Sequence, residues 1–146
     1  MLKGVDRLLS PGLLKVLAEM GHGDEIVISD GNFPSASIAK GTVSGEVFYL
    51  NCDAPRAIKA VLSVMPLDSF GTEPVLTMQV VGEPDTVPEV VALAEPMFEG
   101  EGFSSKSIER FAFYDHARKA YAVIATEEAR FYGCFILRKG VLTPDA

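Results

Sequence analysis

The chain has 146 residues, 48% of them apolar, and a formal net charge of −7 at neutral pH. One domain's worth of chain with that apolar content fills a core and leaves apolar surface over, which points to burial between subunits. An acidic chain without a basic cluster excludes nucleic acid and anionic membranes as expected partners, and no apolar run reaches the roughly 20 residues that cross a bilayer.

After Met1-Leu2-Lys3 the apolar residues are broken at once by Asp6, Arg7 and Pro11, so no secretory leader is expected. Ser10-Pro11 reads as a helix start, a hydroxyl cap followed by proline at the first helical position. Leu13, Leu14, Val16, Leu17 and Met20 then recur at helical spacing up to Gly21. Glu25 to Ser29 (EIVIS) reads as a buried strand closed by the turn residues Asp30-Gly31-Asn32. A Gly- and Ser-containing loop leads to about Gly45, and Glu46 to Leu50 form a second strand. Asp53 caps a helix with Pro55 in its first turn, running to about Met65 before Pro66. Val75 to Val81 is a third strand, and Pro88 opens a weaker helix over 89–95 that should end or kink at Pro96. Gly100 to Ser107 is a link and 107–111 (SIERF) reads as extended. Tyr114 to Lys119 is helical, and Tyr121 to Thr126 and Tyr132 to Arg138 are the last two strands. Strands alternating with helices predict an α/β fold, a single-domain layered sheet with flanking helices spanning 1–146.

Ligands in such sheets sit beyond the carboxyl ends of strands, where Asp30 falls. That carboxylate either binds a ligand or closes its own turn. His22 stands in the glycine-flanked turn GHGDE behind a helix C-terminus, either as a helix cap or as a ring brought close to a ligand. His116, amid charged residues in YDHARKA, reads as a solvated helix residue. Arg110 suits a surface salt bridge or a ligand, and Tyr114 a core aromatic or a hydroxyl donor. Tyr132-Gly133 offers a stacking face beside a backbone N–H, or an ordinary strand start. Cys52 and Cys134 belong to no CxxC pair and read as free thiols of a reducing cytosol. There is no HExxH, no GxGxxG after a strand, no GxxxxGK[ST] and no GxSxG, which weakens metal, nucleotide and serine-hydrolase readings.

Taken together, the opening MLKGVDRLLSPGLLKVLAEMGHGDEIVISD, the LDSF stretch (Leu67 to Phe70), the RFAFY stretch (Arg110 to Tyr114) and the final YG…LRKGV (Tyr132 to Val141) resemble the L-fucose mutarotase / D-ribose pyranase family, and its fucose branch most. The resemblance covers nearly the whole chain and is loose over 32–46 and 83–107. It implies a cytoplasmic isomerase that interconverts the ring forms of a free monosaccharide, L-fucose foremost, without a cofactor or metal. It implies that His22 is the catalytic acid/base, with Asp68 and Tyr114 assisting proton transfer. By the same resemblance Asp30, Met78, Arg110 and Tyr132 contact the sugar, and position 134 faces it. Family members form ring-like homo-oligomers, decamers in bacteria, whose pockets are completed by the neighbouring subunit. Two residues depart from the pattern: Cys134 replaces the asparagine of Tyr-Gly-Asn, and Asn32 replaces a histidine. A thiol is a weaker hydrogen-bonding partner than an amide, so the sugar accepted is expected to shift. Pyranose/furanose exchange of D-ribose and sugar binding without catalysis are the competing expectations.

Overall fold

A computed structural model describes residues 1–71 and 73–146. The elements run α1 (Pro11–Glu19), β1 (Glu25–Ser29), α2 (Ser35–Ala39), β2 (Val47–Leu50), α3 (Ala54–Leu62), β3 (Val75–Met78), α4 (Glu89–Gly100), β4 (Lys106–Ile108), α5 (Arg110–Arg118), β5 (Ala122–Thr126) and β6 (Phe135–Arg138). The two helix starts read from side-chain caps are both present. Ser10 accepts from the N–H of Leu13 at 3.3 Å, and Asp53 from that of Arg56 at 3.0 Å. Each satisfies one of the donors that a helix N-terminus leaves free.

The strands form one sheet in the order β2-β5-β1-β6-β3-β4. β1, β2 and β5 pair in parallel, as do β3 and β4, and β6 runs antiparallel to both its neighbours, β1 and β3. Alternation along the strands sends Ile26, Ile28, Phe135 and Leu137 to the face covered by α1, α3 and α4. Val27 and Ile136 face α2 and α5, where Ile38, Phe113 and Ala117 meet them. Covering both faces explains why β5 is buried at every position and β1 at all but its first. The layered α/β architecture expected from the sequence is therefore the observed one.

Several local expectations change. A short helix, α2, interrupts the loop expected between Asn32 and Gly45. α4 runs through Pro96 to Gly100 instead of stopping there. Proline removes one backbone hydrogen bond, but Ala94 and Phe98 are fully buried and Phe98 packs on Phe135 at 6.0 Å, and this burial overrides the local preference. The stretch 107–111 is extended only to Ile108. Glu109 accepts from the N–H groups of Phe111 and Ala112 at 2.9 and 3.0 Å, so it caps α5 and Arg110 becomes helical. The third strand ends at Met78 rather than Val81. The last strand begins at Phe135, because Tyr132 adopts φ 60° in the preceding turn.

Candidate active site

Strands β1 to β5 all deliver their C-terminal residues to one end of the sheet, and the start of the antiparallel β6 arrives at that same end. A cavity of about 390 Å³ opens there, lined by Asp30, Asn32, Phe33, Met78, Val81, Arg110, Tyr114, Phe131, Tyr132 and Cys134. The volume lies within the range of small-molecule sites. Six sequence-derived candidates meet here: Asp30, Met78, Arg110, Tyr114, Tyr132 and Cys134.

Asp30 is buried. Its Oδ1 accepts from the N–H groups of Asn32 at 3.0 Å and Phe33 at 2.9 Å, and its Oδ2 from Gly133 at 3.1 Å. It therefore closes its own turn, ties that turn to the one before β6, and still faces the cavity. A carboxylate offers about four acceptor sites, so Oδ2 retains capacity for a ligand hydroxyl. The Gly133 N–H is consumed by this contact and is not the exposed donor that the dipeptide suggested.

Cys134 is 2% exposed. Burial first, and the neighbouring Asp30 charge second, push its thiol well above the usual range, so it stays protonated. Tyr132 holds the left-handed conformation that β-carbon-bearing residues seldom adopt, which marks a position fixed by its surroundings. Its phenol oxygen accepts from the N–H of Val81 at 3.1 Å. Arg110 donates from Nε to the Tyr114 hydroxyl at 3.0 Å, with its guanidinium over the rings of Phe111 and Tyr114 at 5.4 and 5.3 Å. Among the described residues no carboxylate lies within ion-pair distance of Arg110, so it is not the surface salt bridge that composition allowed. Phe33 packs edge-on to Tyr114 at 5.5 Å and completes the wall.

A buried device behind the cavity escaped the sequence reading. Glu128, 2% exposed, receives Arg130 through N at 2.9 Å, Nε at 2.8 Å and Nη2 at 2.9 Å, together with the N–H of Ala54 at 3.1 Å. The Arg130 guanidinium holds the Glu128 carboxyl below its usual value. The Glu128 carbonyl accepts from Gly31 at 2.9 Å, so this residue ties the turn after Asp30 to the loop that leads to Tyr132. Phe33, Val81 and Phe131 also went unnoticed. The available signal was their position just beyond strand ends.

His22 and Asp68 lie at the other end of the sheet. His22 precedes β1 whereas Asp30 follows it, and a five-residue strand spans about 16 Å at roughly 3.3 Å per residue. Gly23, with φ 89°, turns the chain, and its N–H donates to the carbonyl of Lys139 at 2.9 Å. Lys139 Nζ reaches the last carbonyls of α1, at Leu17 and Met20, over 2.6 and 2.5 Å, which pins the turn carrying His22. His22 Nε2 lies 2.9 Å from Asp68 Oδ1. That oxygen also accepts from the N–H of Phe70 at 2.9 Å. The Phe70 N–H first, and His22 second, hold the Asp68 carboxyl below its usual range, so it is ionised at neutral pH. An ionised partner on Nε2 places the proton of a neutral ring there and leaves Nδ1 as the open base. His116 is not a solvated residue: its Nε2 lies 2.8 Å from both carboxylate oxygens of Glu25. Among the described residues, no three His, Cys, Asp or Glu side chains converge as a metal site, and no helix is long and apolar enough to cross a membrane.

Residues 3–142 match the model of the RbsD / FucU transport protein family. The fucose mutarotase of Bos taurus is 44% identical over 147 residues, which cover 98% of this chain and 95% of that one. The crystal structure of protein Atu2016 superposes with a TM-score of 0.93 at 48% identity, covering 98% of this chain and 97% of that one. The fucose mutarotase from Streptococcus pneumoniae, solved in complex with L-fucose, superposes with a TM-score of 0.86 at 38% identity, covering 97% of this chain and 100% of that one.

Proposed function

The chain belongs to the RbsD / FucU transport protein family, and from that premise we propose that it is an isomerase, an L-fucose mutarotase that interconverts the α and β anomers of the free sugar. The observation that carries this reading is the cavity at the carboxyl end of the sheet, in which Asp30, Arg110, Tyr114 and Tyr132 stand around an apolar wall. Such a site holds a compact polyhydroxylated molecule with one apolar side.

In anomer exchange the O1 hydroxyl gives up its proton, the C1–O5 bond breaks, and its electron pair stays on O5, which takes a proton. The aldehyde rotates about C1–C2, and the same steps in reverse close the ring on its other face. His22 transfers the proton at one oxygen through Nδ1, with ionised Asp68 behind the ring as counter-charge. Tyr114 serves the other oxygen: its hydroxyl accepts from Arg110, so its own hydrogen is left to donate. Asp30 and Arg110 hold the sugar hydroxyls through charge-assisted hydrogen bonds. The protein's own residues supply every proton transfer in this scheme.

Because His22 and the cavity stand at opposite ends of β1, one chain does not bring them together. The active unit in this reading is a homo-oligomer in which the His22 end of one copy covers the cavity of the next. Such head-to-tail contacts close into rings. Exposed Phe70, Val81, Phe111 and Phe131, between 62% and 75% accessible, sit at these two ends and support such a contact. A cytoplasmic location is supported by the free thiols Cys52 and Cys134. A charge of −7 argues against nucleic acid and anionic membranes as partners.

His22→Ala is expected to abolish accelerated anomer exchange of L-fucose, measured by saturation-transfer NMR, with the assembly intact by sedimentation. Undiminished exchange would remove His22 from the mechanism.

A further inference from the structure

Phe70 is 73% exposed, although it stands two residues from Asp68, which is 5% exposed. Its backbone N–H and His22 Nε2 share one oxygen, Asp68 Oδ1, each at 2.9 Å. The two rings meet edge-on, 5.4 Å between centroids and 67° between planes. Hydrogen bonds therefore hold an uncovered aromatic ring against the imidazole, where burial within its own chain contributes little. A proton-transfer group works at about 2.6–3.2 Å from the reacting oxygen. Wherever His22 reaches a hemiacetal, the Phe70 ring arrives beside it.

On the basis of the shared site proposed above, we infer that Phe70 determines specificity: carried in with His22, its ring covers the C5 substituent of the sugar and favours a methyl there over a hydroxymethyl or a hydrogen. The carbons C2 to C4 each carry a hydroxyl, and the partners for these stand at the cavity end, in Asp30, Arg110 and Tyr132. C5 adjoins the ring oxygen at which a proton is exchanged, and in a 6-deoxyhexose it carries the apolar group. A hydroxymethyl against the Phe70 face would lose water without gaining a partner. A hydrogen would leave the ring without contact. The site is thereby selective for 6-deoxy sugars over their hydroxylated and shortened analogues.

The test compares wild type with Phe70→Ala on three free sugars sharing one ring configuration: L-fucose, L-galactose with a hydroxymethyl at C5, and D-arabinose with no carbon there. One methyl in an apolar pocket is worth about 10–200-fold in discrimination. The ratio of kcat/KM for L-fucose to that for D-arabinose is accordingly expected to fall about tenfold or more in Phe70→Ala, read by saturation-transfer NMR. An equal loss on all three sugars, or no loss, overturns the inference. Sedimentation runs alongside. If Phe70→Ala changes the assembly, Phe70→Tyr decides: its hydroxyl is expected to move preference toward L-galactose, and an unchanged preference overturns the inference. A wild-type protein that fails to accelerate L-fucose exchange sinks the mutarotase reading itself and this inference with it, whereas His22→Ala at full rate takes His22 out of the mechanism and overturns this inference alone. Loss of selectivity control by Phe70 alone leaves the mutarotase reading standing.

Discussion

Glu128→Gln isolates the charge of the buried carboxylate behind the cavity while keeping its shape. One carboxylate oxygen faces the N and Nε of Arg130, and the other faces the N–H of Ala54 and the Nη2 of Arg130. Whichever way the amide of glutamine turns, its NH2 confronts two donors. Unsatisfied buried groups cost about 1–3 kcal/mol each. The Arg130 side chain is 31% exposed and can turn part of its guanidinium to water, so the net loss is about 2–3 kcal/mol. For a chain of this size, roughly 2–4 °C per kcal/mol lowers the unfolding midpoint by roughly 4–12 °C. Circular dichroism melts at one fixed protein concentration measure this, since assembly makes the midpoint concentration-dependent. The pH dependence has a definite sign. Arg130 depresses the folded carboxyl, so its stability is present above the unfolded pKa of about 4.3 and is lost as pH falls through the folded value. The gap between wild type and Glu128→Gln should be full at pH 7 and narrow below about pH 4.3. A gap that stays constant with pH, or a loss under about 0.5 kcal/mol at pH 7, would refute the role assigned to this pair.

Two further outcomes are expected. Gly133→Ala places a Cβ 2.8 Å from Glu128 Cγ, 3.3 Å from Val90 Cγ1 and 3.4 Å from Asp30 Cβ, an overpacking worth about 1–3 kcal/mol. It should destabilise the fold by that amount in urea titrations and raise KM more than it lowers kcat, because Asp30 is displaced from the Gly133 N–H; an unchanged KM would free Asp30 from sugar binding. Cys134, buried and held protonated, should resist iodoacetamide at pH 8 until the chain is unfolded, as read by peptide mass spectrometry. Equal labelling in buffer and in urea would contradict that burial.

What the sequence made legible was local or periodic. Ser10 and Asp53 act within three residues of themselves, so their caps follow from the chain alone, and β1 and β5 announce themselves as apolar runs. Pro96 misled because a buried Phe98 outweighs the lost hydrogen bond, and α2 escaped because five residues carry no period. Tyr132 took a left-handed conformation that nothing in its residue type requires. Glu128 escaped notice because two of the groups it accepts from, the N–H of Ala54 and that of Gly31, are remote in sequence.

The site obeyed the same division. Asp30, Met78, Arg110, Tyr114, Tyr132 and Cys134 converge because each lies at or after the carboxyl end of a parallel strand or before the antiparallel one, a relation fixed by topology. His22 and Asp68 pair with each other at the opposite end. Chain order carried part of this separation: residues 22 and 30 bracket a strand of five, which holds them apart as a rigid spacer whatever the rest of the fold does. Every copy then has a proton-transfer end and a hydroxyl-binding end, neither sufficient on the proposed mechanism. Catalysis on that mechanism is a property of the contact between copies, and substitutions at Phe70 or Phe131 reach the chemistry through that contact.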